Sequence, residues 1–165
     1  MNKKFTYIDL FAGAGGLSEG FVNENYVPVA HVEKNPNACN TLITRIAYHY
    51  LTNTNNLEIY NQYLRKEISR IELLEYIPSK LKNSVINQEI SQESFEEITT
   101  KIIPTDVDLI IGGPPCQAYS IVGRARIREE SKKESDPRRF LFRQYIRFLI
   151  KYQPKVLFLK MCQEY

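Results

Sequence analysis

The residue best placed for covalent chemistry is Cys116, in the run Gly-Gly-Pro-Pro-Cys-Gln at 112–117. The run follows an apolar stretch at 107–111 that predicts a strand. Its prolines fix φ, and its glycines let another molecule approach the backbone closely. A thiol held in a stiff turn at a strand end is positioned to act as a nucleophile. A loop cysteine without chemistry is the alternative, and the Pro-Pro pair and a second glycine cluster weigh against it.

That second cluster follows the first predicted strand, in the run Asp-Leu-Phe-Ala-Gly-Ala-Gly-Gly-Leu at 9–17. Its spacing is GxGG rather than the GxGxxG of dinucleotide-binding folds, which argues against a pyrophosphate clamp. A glycine turn of this kind suits a ligand with an amino-acid or nucleoside part. Glu33 stands at the end of the second predicted strand, where an acid accepts hydrogen bonds from ribose hydroxyls in doubly wound folds. A solvated acid at the start of a helix is the alternative for Glu33.

Composition bounds the class of protein. The chain has 165 residues, of which 43% are hydrophobic and 25% charged, enough for one domain with a core. It contains neither an apolar run long enough to cross a membrane nor a signal segment at its start. Three well-separated cysteines, no CxxC and two histidines argue against a metal site and a disulfide framework, and predict a reducing compartment.

Positive charge is concentrated after Cys116. Residues 123–147 contain nine Lys or Arg and four acids, a local net charge of +5. Such a segment could meet phosphates. A solvated helix face is an equally good interpretation of the segment taken alone.

Predicted strands and helices alternate along most of the chain. Strands are predicted at 7–11, 26–32, 84–86, 107–111 and 155–159. Helices are predicted at 17–23, from Pro36 through Ala47, at 95–103 and at 138–152, with further helical spacing between 52 and 83. The alternation predicts a parallel α/β sheet covered on both faces, whose ligands bind at the carboxyl ends of the strands.

The two glycine motifs, in this order and with Glu33 between them, closely resemble those of the DNA cytosine-5 methyltransferases. The resemblance covers most of the chain and is weakest at about 48–83, which we interpret as a family-variable insertion. It implies a Rossmann-like S-adenosylmethionine-dependent methyltransferase sheet, with residues 1–165 forming part of the catalytic domain. It also implies methyl transfer from S-adenosylmethionine to carbon 5 of a cytosine flipped out of double-stranded DNA, in a restriction-modification system in the bacterial cytoplasm.

The resemblance also assigns roles to residues. Cys116 would be the nucleophile, and Glu33 would bind the ribose. Glu89, in Asn-Gln-Glu-Ile where the family usually has Gly-Asp-Ile, would lie near the adenine. Gln117 and Ser120 would lie near the flipped cytosine and its phosphates. The cofactor pocket would be formed by Phe11, Ala12, Gly13, Gly15, Gly16 and Leu17.

The family pattern breaks at Lys160. Pro-Lys-Val-Leu-Phe-Leu at 154–159 matches the family strand, but the next residues should be Glu-Asn-Val-Pro-Gly, whose Glu stabilises the adduct at the cytosine ring. Preceded by a G and read in the adjacent frame, codons for residues 160–165 can encode Glu-Asn-Val-Pro-Gly-Ile. We therefore expect a frameshifted chain truncated after the strand that ends near Leu159.

From these departures we expect little or no methylation activity from this chain alone. The family's target-recognition domain and its later arginine motif are also expected to be missing. One alternative is a nonenzymatic remnant, or a half-enzyme that needs a separately encoded C-terminal part. An RNA cytosine methyltransferase is a further alternative, disfavoured because RNA enzymes with this cofactor fold usually carry the catalytic cysteine in a different motif. An apolar edge exposed near Leu159 would make the chain poorly soluble.

Overall fold

The structure, a computed structural model, describes residues 4–24, 26–103, 106–113 and 141–160. These residues form five strands and seven helices. The strands are β1 (Phe5–Leu10), β2 (Tyr26–Glu33), β3 (Val85–Asn87), β4 (Leu109–Gly112) and β5 (Val156–Leu159). The helices are α1 (Gly16–Asn23), α2 (Pro36–Asn53), α3 (Leu57–Leu64), α4 (Arg70–Glu75), α5 (Ser79–Asn83), α6 (Phe95–Lys101) and α7 (Leu141–Tyr152).

The strands form one parallel sheet in the order β3-β2-β1-β4-β5. From β1 the chain first builds outward through β2 and β3. It then returns to the other side of β1 and adds β4 and β5, so the strand order reverses between β1 and β4. In open parallel sheets the carboxyl ends of the strands at such a reversal form the ligand-binding crevice. The predicted parallel α/β sheet is confirmed.

Both faces of the sheet are covered, because successive side chains of a strand point to opposite faces. Ile8 and Leu10 of β1 belong to a buried cluster that includes Phe148 of α7. Tyr7, which precedes Ile8 and points to the opposite face, belongs to a second cluster against which Phe21 of α1 packs. Helices α6 and α7 therefore cover one face, and α1 covers the other.

Most predicted boundaries hold within two or three residues, and the differences have local causes. Helix α2 begins at Pro36 as predicted, because Asn35 caps it by accepting hydrogen bonds from Asn37 N (2.9 Å) and Ala38 N (3.2 Å). The strand predicted to begin at Ser84 begins one residue later. Ser84 instead ends α5, and its Oγ donates to Leu81 O at 2.7 Å.

The segment between β2 and β3 has its own small core. Ala47, Leu51, Leu73 and Ile77 are buried together, with partly buried apolar residues of α3, α4 and α5 around them. The end of α2 and the three short helices thus pack among themselves. The interpretation of about 48–83 as a family-variable insertion remains a prediction.

Strand β5 has a single neighbour, β4, among the described strands. Its four residues Val156, Leu157, Phe158 and Leu159 are all exposed. The apolar edge predicted near Leu159 is therefore present, although its effect on solubility is untested. Among the described residues no helix has both the length and the apolar character needed to cross a membrane.

Candidate cofactor site

The predicted glycine turn connects β1 to α1 at the carboxyl edge of the sheet. Phe11, Gly13 and Gly15 all have positive φ, at 59°, 55° and 83°. A Cβ on Gly15 would lie 2.5 Å from Cδ2 of Leu42, so neither the conformation nor the space at Gly15 suits another residue. Residues other than glycine rarely adopt a positive φ, as Phe11 does, and such backbone conformations concentrate at functional sites.

Glu33 fastens this turn to the end of β2. Its Oε2 accepts a hydrogen bond from Gly13 N at 2.9 Å, and its Oε1 accepts one from Asn35 N at 2.8 Å. An ionised carboxylate offers about four acceptor positions, so both oxygens can still receive further donors. The structure thus places Glu33 directly beside the glycine turn, and its ribose-binding role stays a prediction.

The segment after β3 reaches the same edge. Asn87 Nδ2 donates to the backbone oxygens of Glu33 (3.1 Å) and Lys34 (3.0 Å), and Gln88 N donates to Glu33 O (3.0 Å). Glu89 is exposed, and its carboxylate forms an ion pair with Lys34 Nζ at 2.9 Å. Glu89 is therefore near Glu33 along the edge, but its own carboxylate is directed to Lys34.

Asp9 is a buried acid at this edge to which sequence analysis assigned no role. Its side chain is 1% exposed, and neither carboxylate oxygen has a hydrogen-bond partner. Burial, and then the charge of Glu33, raise the pKa of Asp9 to about 8. In the sequence, Asp9 interrupts an apolar predicted strand, and an acid at such a position indicates a specific role for the side chain.

A buried polar chain holds the start of α1 against the sheet. The hydroxyl of Ser18, in the first turn of α1, is hydrogen-bonded to the Tyr7 hydroxyl and to His31 Nε2 (2.8 Å). Burial lowers the pKa of His31 to about 4, so His31 is neutral at physiological pH. His31 and Ser18 also line a cavity of about 410 Å³ between α1 and α2. These contacts fix the first turn of α1, and with it the glycine turn, to β1 and β2.

Cys116, Gln117 and Ser120 lie outside the described residues, as does most of the basic stretch 123–147. Within that stretch, Arg147 donates to Gln92 O at 3.2 Å and its guanidinium lies 3.9 Å from the centre of the Phe95 ring. Arg147 therefore contributes to packing between α7 and α6.

The approach to Cys116 is described as far as Gly113. A Cβ on Gly112 would lie 2.3 Å from Leu10 O, so this glycine is required by the close approach of β1. Gly112 was expected to let another molecule approach the backbone, but the structure shows that it is needed for packing against β1. Lys160 N donates to Gly112 O at 2.8 Å, and Lys160 O would lie 3.2 Å from a Cβ on Gly113. Position 160 therefore lies beside the strand end that leads to Cys116.

Among the described residues there is no group of three or more His, Cys, Asp or Glu side chains arranged to hold a metal ion. The acids at the edge are instead Asp9, Glu33 and Glu89, which lie on or after three different strands.

Residues 5–78 and 79–160 match the family model of the C-5 cytosine-specific DNA methylases. This chain belongs to that family. The predicted resemblance is confirmed, and the described sheet is the methyltransferase sheet that the resemblance implied.

Two individual relatives support this family membership. The type II methyltransferase M.Bpa9945I of Bacillus paralicheniformis is 41% identical over 90% of this chain and 38% of its own length. M.DdeI of Desulfomicrobium norvegicum, another type II methyltransferase, is 32% identical over 90% of this chain and 25% of its own length. The chain thus spans less than half the length of these relatives.

A solved structure supports the fold. It is that of a candidate DNA modification methyltransferase encoded within an E. coli prophage, and it aligns with 92% of this chain and 30% of its own. The TM-score is 0.50 at 21% sequence identity, a likeness that extends to the fold.

Proposed function

We propose that this chain carries the cofactor pocket and the nucleophile of a DNA (cytosine-5-)-methyltransferase that uses S-adenosylmethionine. The methylated base would be a cytosine flipped out of duplex DNA, in a restriction-modification system, and the protein would act in the bacterial cytoplasm. The observation that carries the proposal is the bond between Glu33 and Gly13 N, which joins the two predicted halves of the cofactor pocket. It occurs in a chain of which the family model matches nearly all.

The residues at the carboxyl edge suit a nucleoside with an amino-acid part. Glu33 can accept hydrogen bonds from ribose hydroxyls while still holding Gly13 N. The side chain of Phe11 offers an apolar face at the turn, and Glu89 follows β3 at the same edge. The glycine turn, without Cβ atoms at its tightest positions, lets the ligand approach the backbone. The proposed pocket residues are Phe11, Ala12, Gly13, Gly15, Gly16, Leu17, Glu33 and Glu89.

Carbon 5 of cytosine is a poor nucleophile, which explains the proposed role of Cys116. Addition of its thiolate to carbon 6 makes carbon 5 electron-rich, so that carbon 5 can form a bond to a methyl group. The cofactor supplies that methyl group on a sulfonium sulfur, whose bond to the methyl breaks. Loss of the carbon 5 proton and departure of the thiolate then restore the ring. Gln117 and Ser120 are proposed to contact the flipped base and its phosphates.

This chain by itself is proposed to be a poor catalyst. Lys160 stands where the family has the acid that stabilises the adduct, and its backbone lies beside Gly112 and Gly113. An ammonium group there donates hydrogen bonds but accepts none, whereas a carboxylic acid can do both. Recognition of a particular DNA sequence is proposed to need a further, separately encoded C-terminal part, because the chain covers 38% of M.Bpa9945I.

Cofactor binding can be tested without catalysis. Calorimetric titration of the 165-residue chain with S-adenosylhomocysteine should give one site. Glu33→Gln should raise the dissociation constant by roughly tenfold or more, since it removes a charged acceptor. Glu58→Gln is the matched control, because Glu58 is an exposed glutamate on α3 that pairs with Arg65. A folded chain that binds no S-adenosylhomocysteine would refute the proposed function.

The catalytic expectation needs a separate assay. Tritiated methyl groups from S-adenosylmethionine should not reach plasmid DNA with the isolated chain. Co-expression with the part of M.Bpa9945I that lies beyond the aligned region tests the half-enzyme alternative. Restored transfer that is lost in Cys116→Ala would support it, whereas transfer by the isolated chain would contradict the expected inactivity.

A further inference from the structure

The cavity between α1 and α2 is a feature that the proposed cofactor pocket does not explain. Its volume is about 410 Å³, and residues of β2 line it together with the two helices. Protein interiors are close-packed and contain few voids larger than a water molecule, whereas pockets for small ligands measure about 300–1,000 Å³. The cavity therefore has the size of a ligand site rather than that of a packing defect.

Both helices turn one continuous face toward the cavity. The lining residues of each helix are spaced three and four apart, which is the spacing of a single helix face. They are Gly15, Ser18, Glu19 and Val22 at the start and along α1, and Leu42, Arg45, Ile46, His49, Tyr50 and Asn53 on α2. Two helices packed at the usual distance of about 8–10 Å interdigitate such faces, whereas here the two faces border a shared space.

Contacts beside the cavity set the spacing of the two helices. Glu19 of α1 accepts a hydrogen bond from Arg45 Nη1 at 2.9 Å, and its other oxygen is hydrogen-bonded to His49 Nε2 at 2.9 Å. At the glycine turn, a Cβ on Gly15 would lie 2.5 Å from Cδ2 of Leu42, so the helices touch there. The cavity is thus held open by contacts on its border.

The cavity is separate from the proposed cofactor pocket. Gly15 is the one residue of that pocket among the described residues that line the cavity, and Phe11, Gly13, Glu33 and Glu89 do not line it. Because Gly15 has no side chain, a ligand in the cavity would leave the proposed cofactor contacts free.

Much of the cavity wall is apolar. Val22 of α1 faces Leu42 and Ile46 of α2, and the rings of Tyr26 and Tyr50 belong to the same wall. Aliphatic side chains and aromatic rings of this kind suit a flat apolar group, whose burial they would reward.

The charges on the wall favour an anionic group on that ligand. Two cations, Lys4 and Arg45, line the cavity with one anion, Glu19, an excess of one positive charge before any charge on His49 is counted. Arg45 has five N–H groups, and its one hydrogen bond to a described residue is the bond to Glu19. The other N–H groups can therefore bind a carboxylate, for which the planar guanidinium is well suited.

The wall also contains a polar atom for which the described residues supply no partner. His31 lines the cavity, and its Nδ1 is buried without a hydrogen bond. The hydroxyls of Tyr7 and Ser18 can donate in sequence toward His31 Nε2, an arrangement that uses both hydroxyl protons and places the ring proton on Nδ1. An acceptor atom on a ligand would satisfy this donor.

We propose that the cavity between α1 and α2 is a second ligand site, which binds a flat aromatic molecule that carries one carboxylate. The aromatic ring would lie between Val22 of α1 and Ile46 of α2, and the carboxylate would pair with Arg45. This site is independent of the proposed function, because its ligand and its residues differ from those of the cofactor pocket.

Two ligands with the same ring test the role of the charge. 1-Naphthaleneacetate carries a carboxylate, and 1-naphthaleneacetamide is its neutral counterpart. Titration of the isotope-labelled 165-residue chain should show that the acid binds at least about tenfold more tightly than the amide, since only the acid can form a charged pair. Both ligands should shift the backbone amide signals of the cavity wall, at Ser18, Val22, His31 and Ile46.

Substitution of Arg45 tests which cation binds the acid. Arg45→Gln should reduce the preference for the acid to less than about threefold and leave the affinity for the amide nearly unchanged. The matched control is Arg65→Gln, because Arg65 is also an exposed arginine paired with glutamates, Glu58 and Glu67, and it does not line the cavity. Arg65→Gln should keep the full preference.

Filling the cavity tests where the ligands bind. Val22→Phe adds a ring to the wall of the cavity and should weaken both ligands at least about tenfold, while S-adenosylhomocysteine binding persists. Val156→Phe, the same change at an exposed valine of β5, should affect neither ligand. If Val22→Phe does not fold, the comparison of acid and amide in the parent chain and in Arg45→Gln still decides.

Three results would overturn the inference. They are equal affinity for the acid and the amide, signals that shift at the apolar residues of β5 instead of the cavity wall, and no binding of either ligand to the folded chain. Since S-adenosylhomocysteine binding is measured separately, failure of the second site leaves the proposed function standing, and failure of cofactor binding leaves the second site standing.

Discussion

Two buried aspartates lie at opposite edges of the same sheet and differ completely in their partners. Asp108, 6% exposed, precedes β4 at the amino edge. Its Oδ2 accepts hydrogen bonds from Thr6 N (3.0 Å) and Thr6 Oγ1 (3.3 Å), and its Oδ1 is bound to Lys155 Nζ. Asp9, 1% exposed, lies at the carboxyl edge and has no hydrogen-bond partner.

The difference separates an acid whose burial is compensated in the free protein from an acid whose burial is not. Asp108 joins the starts of β1, β4 and β5, so its burial is compensated by contacts that exist in the free protein. The burial of Asp9 has a free-energy cost that no hydrogen bond in the free protein offsets. Buried groups of this second kind concentrate at functional sites, where a ligand completes the missing contacts.

The largest effect on stability is expected for Asp108→Asn. The amide keeps one acceptor oxygen but forms no ion pair with the Lys155 ammonium, so we expect a loss of about 2–3 kcal/mol in the free energy of unfolding. The value is below that for a fully buried pair because Lys155 is 61% exposed. Urea denaturation measures it. Retention of full stability in Asp108→Asn would show that the contacts of Asp108 do not stabilise the fold.

The next largest loss of stability is expected for a substitution in the glycine turn. Gly15→Ala places a Cβ against Leu42 and forces a residue with a side chain to adopt φ of 83°. We expect a loss of about 1–3 kcal/mol together with weaker S-adenosylhomocysteine binding. Gly20→Ala, in the same helix, is the control. A Cβ on Gly20 meets nothing within 4 Å, so stability should rise by about 0.5–1 kcal/mol. Equal effects of the two substitutions would show that the turn geometry does not matter.

Asp9→Asn should stabilise the free protein at alkaline pH. At pH 8.5 the parent chain must bury an ionised carboxylate, and the neutral amide removes that charge. We expect a gain of about 1–2 kcal/mol in the free energy of unfolding, measured by urea denaturation beside Asp108→Asn. If both variants lose stability alike, Asp9 has partners comparable to those of Asp108, and the distinction between the two edges is lost.

The smallest effect is a difference in pH dependence. The pKa of Asp9 rises from 3.8 to about 8 on folding, so the folded state holds more protons between those values and stability falls as pH rises through them. The pKa of His31 falls from 6.5 to about 4, and its contribution to stability rises with pH over that window. The two oppose each other up to pH 6.5, and Asp9 acts without His31 from there to about 8.

Thermal or urea unfolding between pH 6.5 and 8 should therefore show a decline in stability that disappears in Asp9→Asn. Asp108→Asn should keep the decline. A slope that is the same in the parent chain and in Asp9→Asn would mean that Asp9 is already ionised in the free protein.

Sequence patterns predicted most of this edge, and the reasons are local. The glycine turn and Glu33 follow predicted strands directly, and parallel strands bring their carboxyl ends together. The Pro36 start of α2 and the order of the elements were equally readable, because caps, proline and hydrophobic periodicity act over a few residues.

What the sequence did not predict depends on contacts between distant residues. Asp9 and Asp108 both adjoin apolar strand stretches, and the sequence does not tell them apart. Asp108 is satisfied because Thr6 and Lys155, 102 and 47 residues away, meet it in the folded sheet. The need for glycine at 112 likewise arises from Leu10 O on the neighbouring strand.

Cofactor binding at the carboxyl edge is tested most directly by titrating the isotope-labelled 165-residue chain with S-adenosylhomocysteine and following the backbone amide chemical shifts. The shifts should change at the carboxyl edge, at Asp9, Gly13, Gly15 and Glu33, and stay constant at the amino edge, at Thr6 and Asp108. Shifts that change at the amino edge, or that change nowhere in a folded chain, would contradict it.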